Sequence, residues 1–448
     1  MSNARKRLRR AERALLQRIT WSRVYRAASY ARSAMWIVPF IAVVLVLALM
    51  PVIRILDAWL NWRFFDFGVQ GAQGLYQTVI TLNLSFLVFT FGSLLVAIQI
   101  AGGQLTPRII ATTLLRDNVV RYTVGLFVFS LIFSVMALNR LETNKVSELV
   151  AFITSLLGIT TVMVFLFLID YAARLLRPGT ILARVGNEGL GVIDAVYPRL
   201  VGEGGDDASK RAPLPESPRR VVTHAGLSEI VLAVDLAALM HEARRTRGAV
   251  EFVPQVGDFL AVGEPLFVLY GGATAIDDQK LRDSVAFGPE RTMEQDPLFA
   301  FRILADIGLK ALSPAINDPT TGVLAIDQIH RLLRWVGQRQ LRGDVLTDGL
   351  GNPRVIYRTP DWEDFVHIAC TEIRHSGADN MQIARRLRAL LENLIVTLPS
   401  HRHQPLKDEL GRLDQTIKTA FSIDADLALA GMPDLQGLGG SAGSRGRS

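Results

Sequence analysis

A chain of 448 residues, 50% hydrophobic and 20% charged, is long enough for two or three folding units. Its one cysteine, Cys370, excludes an intrachain disulfide and any cysteine-based metal framework. The formal charge of +7 argues for no nucleic-acid partner, because much of it gathers before the first apolar segment and no RNA- or DNA-binding motif accompanies it.

Residues 1–33 form a basic arm. Arg5, Lys6, Arg7, Arg9 and Arg10 are expected to contact anionic lipid, each cation contributing about 1 kcal/mol at a membrane surface. Four stretches then carry no charged side chain: Trp36–Ile53, Phe67–Pro107, Tyr122–Asn139 and Leu149–Ile169. Each holds an apolar helix of about 18 or more residues, enough to cross a hydrocarbon core about 30 Å thick. Residues 34–173 are therefore expected to form a four-helix transmembrane domain. Arg108, Arg116 and Arg121 between the second and third stretches, and Arg174, Arg177 and Arg184 after the fourth, lie on the same side as the basic arm. The opposite connections are diluted by Asp57, Asp66, Glu142 and Glu148. The positive-inside rule then puts the N-terminus and the C-terminal domain in the cytoplasm.

The second stretch exceeds one crossing, so Leu75–Ala101 is predicted as the helix, with Gly68–Gly74 as an outer loop and Gly102-Gly103 at the inner end. Thr78, Thr81 and Ser85 share one side of that helix, with Asn83 close to it. They are candidate pore-lining residues, and close helix–helix packing accounts for them too. No Asp, Glu, Lys, Arg or His lies inside any span, so a proton relay lacks its usual groups. Passive conduction by a homo-oligomer stays open.

Residues 174–201 read as a membrane-proximal helix continuing the fourth span to about Leu200, and 202–218 as a linker. Residues 219–275 read as a small β-rich module: strands at Val221–Val222 and Ile230–Val234, a helix over Leu236–Arg245, and period-two alternation from Ala249. Its Gly257-Asp258-Phe259-Leu260 turn resembles lipoyl- and biotinyl-type half-barrels, but the Met-Lys tip that carries the prosthetic group is missing. Residues 276–430 read as a mainly helical domain. Asp296-Pro297 and Asp318-Pro319 each open a helix, an acidic cap followed by proline in the first turn. Helices are also predicted over Trp362–His375, Asp379–Leu398 and Pro405–Phe421. The Gly- and Ser-rich 431–448 is expected to be a disordered tail. The fold class is thus an α-helical polytopic membrane domain plus a cytosolic α+β domain, in which a small β module precedes a helical bundle.

The segment Ala311-Leu312-Ser313-Pro314-Ala315-Ile316-Asn317-Asp318-Pro319-Thr320-Thr321 resembles the hallmark of a bacterial family of predicted membrane proteins of unknown function. Gln104-Leu105-Thr106-Pro107-Arg108, Asp117, Arg291-Thr292 and Asp296-Pro297 strengthen the likeness, which covers roughly residues 35–425. It implies a multi-pass protein of the bacterial inner membrane and supplies no activity, cofactor or catalytic residues.

Within the hallmark region, Arg291, Asp296, Asn317, Asp318 and Thr320 are expected to converge where two helix ends meet, as a site for an anion or phosphorylated ligand. Simple capping explains the same residues. GxxxxGK[ST] and HExxH are absent, and His401 with His403 makes a weak metal pair, so no catalytic residue, metal or cofactor is expected. Three functions compete: an oligomeric channel or transport-related protein with a cytosolic sensing or gating domain, a membrane-anchored sensor or scaffold, and a membrane-tethered enzyme acting on a phosphorylated ligand.

Overall fold

Hydrocarbon cannot hydrogen-bond a peptide group, so apolar stretches of this length have to satisfy their backbones internally, as helices. A computed structural model describes residues 20–60, 68–104, 117–141, 146–175, 177–201, 220–341 and 345–440. In it, α1 (Trp21–Ser33) is followed by α2 (Ile37–Leu60), α3 (Val69–Gln104), α4 (Asn118–Asn139) and α5 (Glu148–Leu175). Helices α2 to α5 are each long and apolar enough to cross a membrane, with mean hydropathy of 1.9 to 2.6 in their spanning segments. The arm residues Arg5, Lys6, Arg7, Arg9 and Arg10, the linker 202–218 and residues 441–448 lie outside the described residues.

Two expectations for this region are corrected. The presumed outer loop Gly68–Gly74 is helical from Val69, with the Ala72 amide bonded to the Gly68 carbonyl at 3.0 Å. Glycine weakens a helix by about 1 kcal/mol, but Ala72 and Tyr76 are buried against the bundle and hold this turn in register. The fourth span also does not run on to Leu200. Helix α5 ends at Leu175 and α6 (Pro178–Val196) starts afresh, its Pro178 at a first turn where the missing amide costs nothing.

The chain divides into two compact units, Tyr30–Ile181 and Met1–Ser29 with Leu182–Ser448. In the first, Val46, Met50, Tyr76, Phe133 and Ala151 form one buried cluster, and Phe86, Phe127 and Leu168 anchor another. Asp117 caps α4 by accepting from the Val120 amide at 3.1 Å, while its other oxygen accepts from the Tyr171 hydroxyl at 2.5 Å.

The second unit mixes sheet and helix. After β1 (Arg220–Thr223) and β2 (Glu229–Val234) come α7 (Leu236–Thr246), β3 (Ala249–Phe252), β4 (Phe259–Leu260) and β5 (Pro265–Tyr270). Helix α8 (Asp278–Asp283) and strand β6 (Val285–Gly288) follow, neither marked by periodicity. Next are α9 (Pro297–Ala311), α10 (Pro319–Gly337), β7 (Val345–Thr347), β8 (Pro353–Tyr357), α11 (Trp362–Gly377), α12 (Met381–Thr397), α13 (His403–Ala420) and α14 (Asp424–Ala430). One sheet has the order β1-β5-β3-β8-β7, where β3 and β8 are parallel, and the other β4-β2-β6. Helix α9 is the central pillar, with Phe301, Ile303, Leu304 and Ile307 fully buried. Helix α6 approaches it closely because Gly189 has no side chain; a Cβ there would lie 2.9 Å from that of Ala300.

Residues 431–440, for which composition predicts disorder, form a strap tied to α12. The buried Arg385 donates to the carbonyls of Met432, Gly439 and Gly440 at 3.2, 3.1 and 2.8 Å. The buried Asp434 accepts from the amides of Gln436, Gly437 and Gly439 at 3.1, 2.9 and 2.7 Å. Glycine here permits the tight turns, and the guanidinium supplies what composition alone does not show. Replacing Asp434 with Ala leaves those amides unsatisfied, so a loss of about 1–3 kcal/mol is expected. The check is a lowered Tm with preferential proteolysis within 431–440 and unchanged helical circular dichroism.

Candidate functional site

Asp296 receives the first amides of α9, accepting from Phe299 N at 3.2 Å. The turn before β4 presses against it: Gly257 has φ of +97°, and a Cβ there would sit 2.6 Å from Asp296 Oδ2. Glycine is required both by the backbone and by the approach. Burial pushes the Asp296 carboxyl up to about 6; Arg291 and the Phe299 and Leu298 amides pull against that, and Asp258 adds to it. Nearby, β2 runs into α7, whose cap Asp235 accepts from Ala238 N at 2.9 Å. The Val234 amide donates to Gln295 Oε1 at 3.0 Å, joining the two corners.

Between these corners lies a cavity of about 470 Å³, within the usual range of about 300–1,000 Å³ for small-molecule sites. Aromatic wall comes from Trp21, Tyr197 and Tyr357, and apolar wall from Val234, Val256 and Pro297. Asp235, Glu294, Gln295, Asp296 and Arg358 supply polar groups. Trp21 belongs to α1, where it stacks on Tyr25 and packs against Leu232, Ala233 and Ala286. Ala195, Val196 and Tyr197 close the cavity at the end of α6. Every wall residue belongs to the second unit.

The five residues expected to converge do not. Arg291 and Asp296 stand at the start of α9, whereas Asn317, Asp318 and Thr320 stand beyond its end, where Asp318 N bonds to Ala311 O at 2.8 Å. The intervening helix has 15 residues, about 22 Å at a rise of about 1.5 Å per residue. That length holds the two caps apart. Asp318 caps α10, accepting from Thr321 N at 3.1 Å and Thr321 Oγ1 at 2.5 Å. Asn317 makes the reversal with φ of +48°, a left-handed conformation that asparagine tolerates. The amides of both helix starts are thus engaged by the chain's own carboxylates, which leaves the anion-site expectation without its cluster.

Thr78, Thr81 and Ser85 lie on the exposed side of α3 and donate to the carbonyls of Gly74, Gln77 and Thr81 at 2.8, 2.9 and 2.8 Å. Asn83 is separated from them and fully buried. The Cys370 thiol is buried, and burial raises its pKa, so it is an unreactive core group. Among the described residues no group of three His, Cys, Asp or Glu side chains could hold a metal ion. Sequence reasoning missed Trp21, Tyr197 and Arg358 as cavity residues. For Trp21 the signal was an aromatic, basic helix at the end of the arm; for the other two no local pattern exists.

The family model described as "Predicted membrane protein (DUF2254)" matches residues 32–393. The chain belongs to that family. It is 24% identical over 423 residues to the uncharacterized proteins Rv1290c of Mycobacterium tuberculosis and Mb1321c of Mycobacterium bovis, covering 89% of this chain and 79% of each relative. No solved structure matches it. It is accordingly a membrane protein with four apolar helices near its N-terminus, followed by a mixed region of helices and small sheets.

Asp296 yields a prediction with a definite sign. Its folded pKa lies above the unfolded value of about 3.9, so its contribution to stability is full below that pH and is lost as pH rises through about 6. A rise of that size is worth about 3 kcal/mol. Asp296→Asn keeps the cap and removes the charge. Its Tm should match the parent near pH 4 and exceed it near pH 8, as measured by thermal melts across that range.

Proposed function

We propose that the protein is a ligand-sensing protein of the bacterial inner membrane, in which a small molecule held in the cavity of the second unit controls the helical bundle. The basic arm and the arginines flanking the spans support an orientation with both termini and the second unit in the cytoplasm. One observation carries the sensing role. The cavity is walled by Trp21 on α1 and by Ala195 to Tyr197 at the end of α6. These helices are the chain segments that lead into the first span and out of the fourth. A ligand that orders both therefore acts on both covalent connections to the bundle, without requiring any displacement of the core around α9.

Association of copies through α3 is the arrangement that suits the outer face of the bundle best. The exposed side of α3 carries Thr78, Thr81 and Ser85, with Gly71, Gly74 and Gly92 open alongside. Small residues of this kind let helices of two copies approach. An anchor that only tethers a sensor would need no such face.

The test uses the full chain in lipid nanodiscs against a panel of small metabolites, read by thermal melting. A compound present at 100 times its Kd stabilises by about 2.7 kcal/mol. The expected hit raises Tm and slows hydrogen exchange in Trp21–Ser33 and Pro178–Val196, and Ala195→Trp, which fills the cavity from an exposed position, abolishes both effects. A panel without hits, or a hit indifferent to Ala195→Trp, removes the cavity as the sensing site.

A further inference from the structure

Inside the bundle the polar residues form a layer of their own. Asn83 on α3 is fully buried, and its Nδ2 donates to Val79 O at 2.8 Å and to Ser130 Oγ on α4 at 3.1 Å. Its Oδ1 has no partner. Ser130 is fully buried too, and its hydroxyl, while accepting from Asn83, has no acceptor for its own proton among the described residues. The neighbouring hydroxyls are already engaged. Ser134 donates to Ser130 O and Thr161 to Gly158 O, at 2.8 and 2.9 Å. One acceptor and one donor therefore stand unused side by side, where lipid offers neither.

One helical turn along α3 and α4 lies a ring cluster. Phe86 stacks on Phe165 of α5 with centroids 4.0 Å apart, and Phe127 of α4 stands 5.5 Å from Phe86 and 6.5 Å from Phe165. The pairs 83–130 and 86–127 run in opposite senses, as antiparallel helices require. A turn further on, Thr90 of α3 and Thr123 of α4 are again buried. The order through the bundle is polar, aromatic, polar. A hydrophobic constriction flanked by polar groups is how pores gate by dewetting.

We propose that Asn83 and Ser130 bind a small uncharged solute that carries both a donor and an acceptor, water being the smallest, and that Phe86, Phe127 and Phe165 form the barrier it passes. The chemistry selects a neutral solute. A cation would need several converging oxygens and an anion several donors, and no Asp, Glu, Lys, Arg or His lies within the charge-free stretches that supply these residues. The route then runs through each bundle, not along the exposed hydroxyls of Thr78, Thr81 and Ser85. This rests on the bundle alone and is unaffected if the cavity of the second unit binds nothing.

The experiment is osmotic shrinkage and solute re-entry in proteoliposomes of the full chain, followed by stopped-flow light scattering with sucrose, glycerol and urea gradients. Phe86→Ala is expected to raise water, glycerol or urea permeability several-fold over protein-free vesicles. Adding Asn83→Leu, or Ser130→Ala where that variant does not assemble, returns it to the vesicle baseline. A variant carrying Thr78→Val, Thr81→Val and Ser85→Ala with Phe86→Ala keeps the raised rate. Size-exclusion profiles and circular dichroism confirm folding, with Phe86→Leu as the milder substitute for Phe86→Ala. Baseline permeability in the folded Phe86 variants overturns the proposal. Loss of the raised rate in the exposed-face variant overturns it as well, by moving the route to the outside of α3.

Discussion

Every feature of the bundle follows from one constraint: a backbone surrounded by hydrocarbon has to bond to itself. It explains why α3 stays helical through Gly71 and Gly74, residues that each weaken a helix by about 1 kcal/mol in water. It also explains why Thr78, Thr81, Ser85, Thr90 and Thr154 all turn their hydroxyls back to a carbonyl four residues earlier. Against that uniform pattern Asn83 stands out, since its amide reaches across to a second helix and still leaves Oδ1 without a partner.

In the second unit the comparable rule is that a helix start in a packed interior needs an acceptor for its first amides. Asp235, Asp277, Asp296, Asp318, Asp361 and Asn380 each provide one. The hallmark residues are consequences of this rule. Asn317 and Asp318 turn the chain from α9 into α10, and Pro297 and Pro319 cost nothing because each sits in a first turn. Asp296 differs only in its surroundings. The same cap, placed against Gly257 and away from water, becomes a carboxyl that titrates near 6 at the edge of a cavity.

Several elements were legible because their cause is local. Charge-free length marked the four apolar helices, Asp-Pro pairs marked the starts of α9 and α10, and period-two alternation with glycine turns marked β3 to β5. Others were hidden because their cause is distant. The break between α5 and α6 depends on how α6 packs through Gly186 and Gly189. The ordered strap at 431–440 depends on Arg385, some fifty residues earlier. Strand β6 exists only because β2 pairs with it.

By itself the chain determined that it is a membrane protein with four apolar helices, and it marked where the helices of its second unit begin. Hydropathy and capping act within a few residues, so they are written in consecutive letters. Tertiary structure alone decided that Arg291 and Asp296 part from Asn317, Asp318 and Thr320 across the length of α9. It alone brought Trp21, Tyr197 and Asp296 around one cavity, and it turned Asn83 inward while Thr78, Thr81 and Ser85 faced out. Those outcomes depend on which faces of distant helices meet, a property of packing that no local pattern encodes.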